Sequence, residues 1–270
     1  MAKPQDLSAG AEQKSAEQEA VQPAPKSGAA RHARVALTHP STFQQYKTLL
    51  GKDLRQEFRT REMLTSMGIY ALLVIIVYGA ALAMTAQQVD IISMSGGLIW
   101  ALIVFTSLLG LNRSFSHEKE QGCLEGILLV PLDRSVIFLA KATSNFLFML
   151  VVEVIAVPVF YFFFMTGAQP SPTFGYIVFP ILLGTVGMAG IGTMLSTITA
   201  NTRGKDVMLA VLFIPLIYPL LYACVTATTA AILGSEFWFD PYSMALILAA
   251  AYDVIMLALC WVLYDFVISA

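Results

Sequence analysis

The sequence has little charge for its length. Only 13% of its 270 residues are Asp, Glu, Lys or Arg, whereas soluble domains carry about 25%. Instead, 57% of the residues are hydrophobic, and long apolar runs dominate from Met63 onward. This composition excludes an ordinary soluble domain and is typical of a polytopic membrane protein. The net charge of −2 tells us little, because the charges are very unevenly distributed.

Residues that commonly bind metals or cofactors are also scarce. The three cysteines are Cys123, Cys224 and Cys260. They form no CxxC pair, which argues against a disulfide framework and a zinc site, so we interpret them as small apolar side chains. The three histidines are His32, His39 and His117, and none lies in an apolar run. Histidine is a common axial ligand of heme iron, so we expect no cofactor to bind directly to this chain.

A nucleotide-binding loop is absent as well. No G-x-x-x-x-G-K-[ST] motif occurs, and the nearest fragment, Gly204-Lys205, has Thr199 in place of the first glycine and Asp206 in place of the hydroxyl residue. The chain therefore has no loop of this kind to hold ATP phosphates. If the protein uses ATP, we expect a separate subunit to hydrolyse it.

The first 60 residues divide into two segments. Residues 1–40 are rich in Ala, Gln, Glu, Lys, Pro and Ser and contain no aromatic residue, which predicts a disordered tail. They also contain no apolar h-region of a signal peptide, so the first membrane helix should act as an uncleaved anchor. Residues 41–61 predict a basic amphipathic helix, and Ser41 with Gln44 predicts a capping box at its start. Its apolar positions are Phe43, Tyr46, Leu50, Leu54 and Phe58.

This helix precedes the first long apolar run, and two interpretations of its position stay open. It could lie in the lipid interface on the cytoplasmic side. It could also pack on the protein's own cytoplasmic surface, and the two arrangements are compatible.

The remaining chain, residues 62–270, predicts an all-α domain with six transmembrane helices. The predicted spans are 63–86, 91–111, 135–166, 174–199, 207–233 and 242–269. Each is long enough to cross a bilayer. Lys and Arg cluster in alternate loops, and the loops between them carry only acidic charges. The positive-inside rule therefore predicts that both termini are cytoplasmic.

Charged and small residues inside the spans suggest further constraints. Glu153 lies near the middle of the third span and Asp253 near the middle of the sixth. An ionised carboxylate facing lipid costs at least about 2.5–3.5 kcal/mol, so both should face protein or water. They could line a polar path or hinge, or they could be neutral carboxyl groups hydrogen-bonded to a neighbouring helix.

Lys141, near a cytoplasmic end, is expected to snorkel. The small residues of the fourth span could serve internal packing or a subunit interface.

The best candidate for a functional surface is the charged segment between the second and third spans, about residues 112–134. The chain turns polar at Asn112 without a helix breaker and becomes apolar again before Pro131. We predict a cytoplasmic coupling hairpin that a partner grips, although a solvated turn joining two spans is the alternative. The residues singled out here are Phe115, Glu118, Glu120, Gly122, Leu124, Glu125 and Leu128.

This same region resembles a known family. The runs G-L-I-W, L-N-R-S-F, E-K-E-Q-G-C-L-E-G-I-L-L-V-P-L and DRSVIFLAK are similar to the heme exporter protein B (CcmB) family, the permease subunit of the cytochrome c maturation ABC transporter. The chain departs from the family pattern at Gln121 and Cys123, where an acidic residue and a serine are common. The likeness does not extend to residues 1–40.

The resemblance implies an ABC-2 type permease in the bacterial cytoplasmic (inner) membrane. It implies a cytoplasmic ATPase subunit that binds ATP, other cytochrome c maturation membrane proteins, and heme carried by those partners. In that family the work is thought to release a heme-loaded chaperone rather than simply to pump heme. Membrane lipid is a further expected partner, and nucleic acid is not expected to bind. Whether the chain also binds a second copy of itself stays open.

Two other functions share these sequence features. The first is a generic ABC-2 exporter of lipid, glycan or drug, which would have the same topology and hairpin. The second is a non-transporting membrane scaffold, which would need no ATPase.

Overall fold

The structure is a computed structural model, and it describes residues 41–84, 90–120, 134–165, 174–199, 202, 204–234 and 241–269. For residues 115–120, 134, 205–206, 265–266 and 268–269 it describes the backbone alone. The predicted tail, residues 1–40, and residues 121–133 of the predicted hairpin lie outside the described residues.

The described chain is all-α, as predicted. In order, the elements are α1 Thr42–Thr60, α2 Glu62–Ala83, α3 Ile91–Glu120, α4 Arg134–Phe164, a 3₁₀ turn Phe174–Ile177, α5 Val178–Thr199, α6 Lys205–Leu233 and α7 Pro241–Ser269. Helices α2 to α7 are each long and apolar enough to cross a membrane. The six predicted spans are therefore confirmed, with ends that differ by a few residues.

Helix α1 begins with the predicted capping box. The Ser41 hydroxyl accepts a hydrogen bond from the Gln44 backbone N–H at 3.4 Å, and the Ser41 N–H donates to Gln44 Oε1 at 3.3 Å. These two bonds satisfy backbone donors that a helix start otherwise leaves without partners. At its other end Arg61 adopts a left-handed conformation with φ 54°, and its N–H donates to the Glu57 carbonyl at 2.6 Å. A single residue thus joins α1 to α2.

Helix α5 occupies the centre of the bundle. It packs against α3, α4, α6 and α7, and 15 of its 22 residues are buried. Its glycines permit this close packing. A methyl group on Gly184 would lie 2.1 Å from the Trp100 ring of α3, and one on Gly192 would lie 2.3 Å from Leu111. In a membrane, where apolar burial does not drive helices together, small faces of this kind allow close van der Waals contact. The internal-packing interpretation of the fourth span is confirmed.

Helix α2 lies at the edge of the bundle. Among the spans in the described part of the chain it packs only against α3 and α4. Much of its remaining surface is apolar and exposed, including Ile69, Leu72, Ile76 and Val77. A helix that is apolar on all sides suits a lipid environment, so this exposed surface is expected to face acyl chains.

Candidate functional site: a polar seam in the membrane core

The predicted coupling hairpin is described only in part. Helix α3 continues to Glu120, past Ser114 where its apolar span ends, so the predicted extension of this helix beyond Asn112 is confirmed. Phe115, Glu118 and Glu120 lie on the extension. The other four candidates lie outside the described residues; they are Gly122, Leu124, Glu125 and Leu128. The role of the hairpin stays a prediction.

Helix α1 docks on the first turns of α4, after the hairpin. Lys141 Nζ lies 3.5 Å from Asp53 Oδ2, and the Ser144 hydroxyl oxygen lies 3.4 Å from the same oxygen. The hydroxyls of Tyr46 and Thr143 lie 3.2 Å apart. The expectation that Lys141 snorkels is wrong, because α1 covers this part of α4 and leaves Lys141 only 8% exposed.

This contact bears on both interpretations of the amphipathic helix. Packing of α1 on the protein's own surface is confirmed by its contacts with α4. Phe43 and Phe58 nevertheless remain exposed. Insertion of these two rings into a lipid interface stays a prediction.

The membrane core contains four buried polar side chains at the contact of α4 with α5, which we call the polar seam. They are Asn145 and Glu153 of α4 and Thr185 and Thr193 of α5. Each helix supplies two residues that are eight positions apart, and the helices pair them in antiparallel order.

Glu153 and Thr185 form the first pair of the seam. Glu153 Oε2 lies 2.7 Å from Thr185 Oγ1, and Thr185 Oγ1 also lies 2.7 Å from the Ile181 carbonyl oxygen. Glu153 is 3% exposed. Its second oxygen, Oε1, has no hydrogen-bond partner among the described residues.

Asn145 and Thr193 form the second pair. Asn145 Nδ2 donates to Thr193 Oγ1 at 3.0 Å, and the Thr193 hydroxyl donates to the Ala189 carbonyl at 2.6 Å. Both side chains are fully buried. The side-chain oxygen of Asn145, Oδ1, has no hydrogen-bond partner in the described part of the chain, as is also true of Glu153 Oε1.

Asp253 lies on a different side of α5. It comes from α7, is 4% exposed, and neither carboxyl oxygen has a hydrogen-bond partner among the residues that the structure describes. The absence of a side chain at Gly187 makes room for it, because a methyl group there would lie 2.1 Å from Asp253 Oδ1. The structure therefore places both predicted intramembrane carboxyl groups in protein, as expected, and brings both against α5.

The partners of these carboxyl groups were not predicted. The small residues of the fourth span were considered only for packing, and neither Asn145 nor Thr193 was singled out. The sequence did contain a signal for this pairing. Two polar residues lie eight positions apart on the third span and two lie eight positions apart on the fourth, and in an antiparallel helix pair such residues can meet two by two. The ion pair of Asp53 with Lys141 had no such signal.

The seam joins α4 to α5 through contacts between polar side chains. Within the described ranges, no group of three or more His, Cys, Asp or Glu side chains could hold a metal ion. Among the described residues, the side chains that line a groove of about 410 Å³ between α2, α3 and α4 are apolar, and they include Ile75 and Phe164.

Known proteins match this chain over most of its length. The CcmB protein family matches residues 44–263. Heme exporter protein B of Pseudomonas aeruginosa is 26% identical over 189 residues, which is 70% of this chain and 82% of that protein. Heme exporter protein B of Paracoccus denitrificans is 28% identical over 163 residues, covering 60% of this chain and 71% of the relative.

A third relative agrees with these two. Heme exporter protein B of Rhodobacter capsulatus is 25% identical over 175 residues, which is 65% of this chain and 78% of that protein. The match to the family covers α1 from its first turns and nearly all of the six-helix bundle. The resemblance drawn from the hairpin sequence is thereby confirmed, and the chain belongs to the CcmB protein family.

Proposed function

We propose that this chain is the membrane permease subunit of an ABC transporter that serves cytochrome c biogenesis, either by exporting heme or by releasing a heme-loaded chaperone. The observation that carries this proposal is the family match over residues 44–263, which takes in nearly the whole bundle of six membrane-spanning helices. A multi-pass bacterial membrane protein with relatives named heme exporter protein B suits such a role.

The chain itself would act as a moving part rather than as an enzyme. It has no phosphate-binding loop of the G-x-x-x-x-G-K-[ST] type, so ATP would be bound and hydrolysed by a separate cytoplasmic subunit. Its three histidines lie outside all six spans, so heme would be carried by other membrane proteins of the complex. The work of this subunit is then to convert movement of the ATPase into movement of its helices.

The extension of α3 and the segment that follows are the proposed docking site for the ATPase. A helix that continues from a span without a break transmits force, and α3 continues to Glu120. Glu118, Glu120 and Glu125 would form a polar rim, whereas Leu124 and Leu128 would be the apolar anchor. Anchors usually carry more binding energy than rim charges, which salt screens.

This proposal requires the hairpin to be cytoplasmic. The distribution of Lys and Arg supports that orientation. A single cysteine placed at Gln169 should react with an impermeant thiol reagent added from outside, and one placed at Lys119 should not. The reverse labelling pattern would contradict the orientation and the docking site together.

The test of the function is purification in mild detergent, with mass identification of the proteins that come along. We expect an ABC ATPase and cytochrome c maturation proteins to copurify with the chain.

Leu124→Asp and Gly122→Val should each release the ATPase, whereas Glu118→Gln should weaken its binding less. If both variants retain a full complement of ATPase, the hairpin is not the docking site. If the wild-type chain brings no ATPase at all, a scaffold function is favoured.

A further inference from the structure

We propose that Glu153 binds a proton inside the membrane core and that the resulting carboxyl group acts as a hydrogen-bond donor, fastening α4 to α5. Glu153 would hold this proton whichever molecule the complex transports.

Thr185 has two oxygen atoms within hydrogen-bonding distance of its hydroxyl group. Its hydroxyl oxygen lies 2.7 Å from two other oxygens, Glu153 Oε2 and the Ile181 carbonyl oxygen. A threonine hydroxyl has only one hydrogen to donate, although it can accept from other donors. The Ile181 carbonyl has none. If Thr185 donates to that carbonyl, the short contact with Glu153 needs a hydrogen that only the carboxyl group can supply.

The other hydroxyls of α5 indicate where the Thr185 hydrogen goes. Each of them donates to the carbonyl four residues earlier, which is a common bond for Ser and Thr within helices. These donors are Thr193, Ser196, Thr197 and Thr199, at 2.6 to 2.9 Å. Thr185 has the same geometry toward Ile181. Its own hydrogen is therefore used within α5.

The Asn145–Thr193 pair supplies an internal comparison. There the α4 side chain is an amide, which donates from Nδ2 to a threonine that in turn donates to its carbonyl. The Glu153–Thr185 pair has the same order of contacts, from the α4 side chain to a threonine hydroxyl to the carbonyl four residues earlier, with a carboxyl oxygen in the place of the amide nitrogen. A protonated carboxyl group is the form of glutamate that can make the same bond.

Burial favours the same protonation state. Glu153 is 3% exposed, and Oε1 has no partner among the described residues. None of the ion pairs in the part of the chain that the structure describes involves it. An ionised carboxylate with one hydrogen bond and no countercharge is costly in such a site, whereas a neutral carboxyl group is tolerated.

The proton also couples this site to movement of the bundle. A carboxylate has no hydrogen to donate, so ionisation ends the donation from Glu153 to Thr185, and a bond between them then requires the Thr185 hydroxyl to turn from the Ile181 carbonyl to the carboxylate. Conversely, a movement of α4 along α5 that admits water to Glu153 allows its proton to leave. Separation of these two helices is in this way linked to proton exchange at one residue.

Infrared spectroscopy of the purified full-length protein tests the proposal directly. Ordinary glutamates are ionised at neutral pH, so a glutamic acid that keeps its proton gives a separate carbonyl-stretch band. Labelling glutamate with ¹³C at the side-chain carboxyl should shift this band, and an aspartic acid such as Asp253 should not respond. The band should be missing in Glu153→Gln and should change frequency in Thr185→Val, which removes the acceptor.

Thermal unfolding in detergent provides the second measurement. Glu153→Gln keeps an N–H donor and should unfold at the wild-type temperature, whereas Glu153→Ala should unfold at a clearly lower one. A wild-type protein without a label-sensitive acid band would overturn the proposal. So would a band that persists in Glu153→Gln, or a Glu153→Gln variant as unstable as Glu153→Ala, because an ionised acceptor would then be required.

Discussion

The two carboxyl groups buried in this membrane protein meet the same helix in different ways. Glu153 contacts Thr185, a hydroxyl residue, whereas Asp253 contacts Gly187, which has no side chain. These two positions of α5 are two residues apart and so differ by about 200° around the helix axis. One face of α5 therefore offers a hydrogen-bond partner, and a nearly opposite face offers only space.

The difference shows two ways in which a bundle can accommodate a polar group away from water. A hydrogen bond is directional and fixes the relative position of two helices. A missing side chain lets a neighbour approach but sets no single position, because van der Waals contact is not directional. We expect the contact of α4 with α5 to resist sliding more than the contact of α7 with α5.

Filling the space at Gly187 should have the largest effect. In Gly187→Val the new Cβ would lie 2.1 Å from Asp253 Oδ1 and 2.5 Å from a Leu220 methyl group, so these two side chains or the helices that carry them must shift. We expect a loss of about 3 kcal/mol or more of unfolding free energy, together with a low yield of folded protein. Gly97→Val is the matched control, because no atom lies within 4 Å of a Cβ at Gly97. Equal stability of the two variants would show that α7 is not held closely against α5.

Removing the acceptor hydroxyl should have the next largest effect. Thr185→Val has nearly the same shape but leaves the Glu153 carboxyl without its partner, which should cost about 1–3 kcal/mol. Thr185→Ser retains the hydroxyl and should lose much less. The measurement is the unfolding free energy in mixed detergent and SDS.

Thr193→Val extends this experiment to the second pair of the seam. It deprives the Asn145 amide of its acceptor, so its cost should match that of Thr185→Val, about 1–3 kcal/mol. The unfolding free energies of the two variants, measured under the same conditions, make the comparison. A much larger cost for Thr185→Val would indicate that the two pairs are not equivalent and that Glu153 is not a neutral donor.

Changing Asp253 alone should have the smallest effect. Asp253→Asn is nearly isosteric, and neither Asp253 oxygen has a partner to lose among the described residues. Its unfolding free energy should stay within about 0.5 kcal/mol of wild type, the range of substitutions that disturb no specific contact.

We also expect near-normal cytochrome c maturation in cells that carry Asp253→Asn or Glu153→Gln. If either variant is present at normal levels in the membrane but maturation is lost, the substituted carboxyl group has a direct role in maturation.

Much of the fold could be predicted from the sequence, because length and hydropathy decide which segments cross a bilayer. The six spans, the capping box at Ser41 and the extension of α3 past Asn112 all depend on local pattern. Glu153 and Asp253 could be singled out for a similar reason, since the cost of a carboxylate in lipid requires burial in protein.

The contacts between helices could not be predicted in the same way. Which residue faces Glu153 depends on how α4 and α5 are rotated and shifted against each other, and hydropathy does not encode that. Lys141 shows the consequence. Its place near the end of a span suggested exposure, but a helix 88 residues earlier in the chain supplies Asp53 as its partner.

That sequence separation has a consequence for how the protein is made. Helix α1 leaves the ribosome long before α4, so Asp53 must remain without Lys141 until the third span has been synthesised and inserted. Throughout that interval α1 cannot complete the contact that holds it to the bundle. Closure of this ion pair therefore marks the stage of biogenesis at which α1 docks on α4, and truncation before residue 141 would leave α1 without this contact.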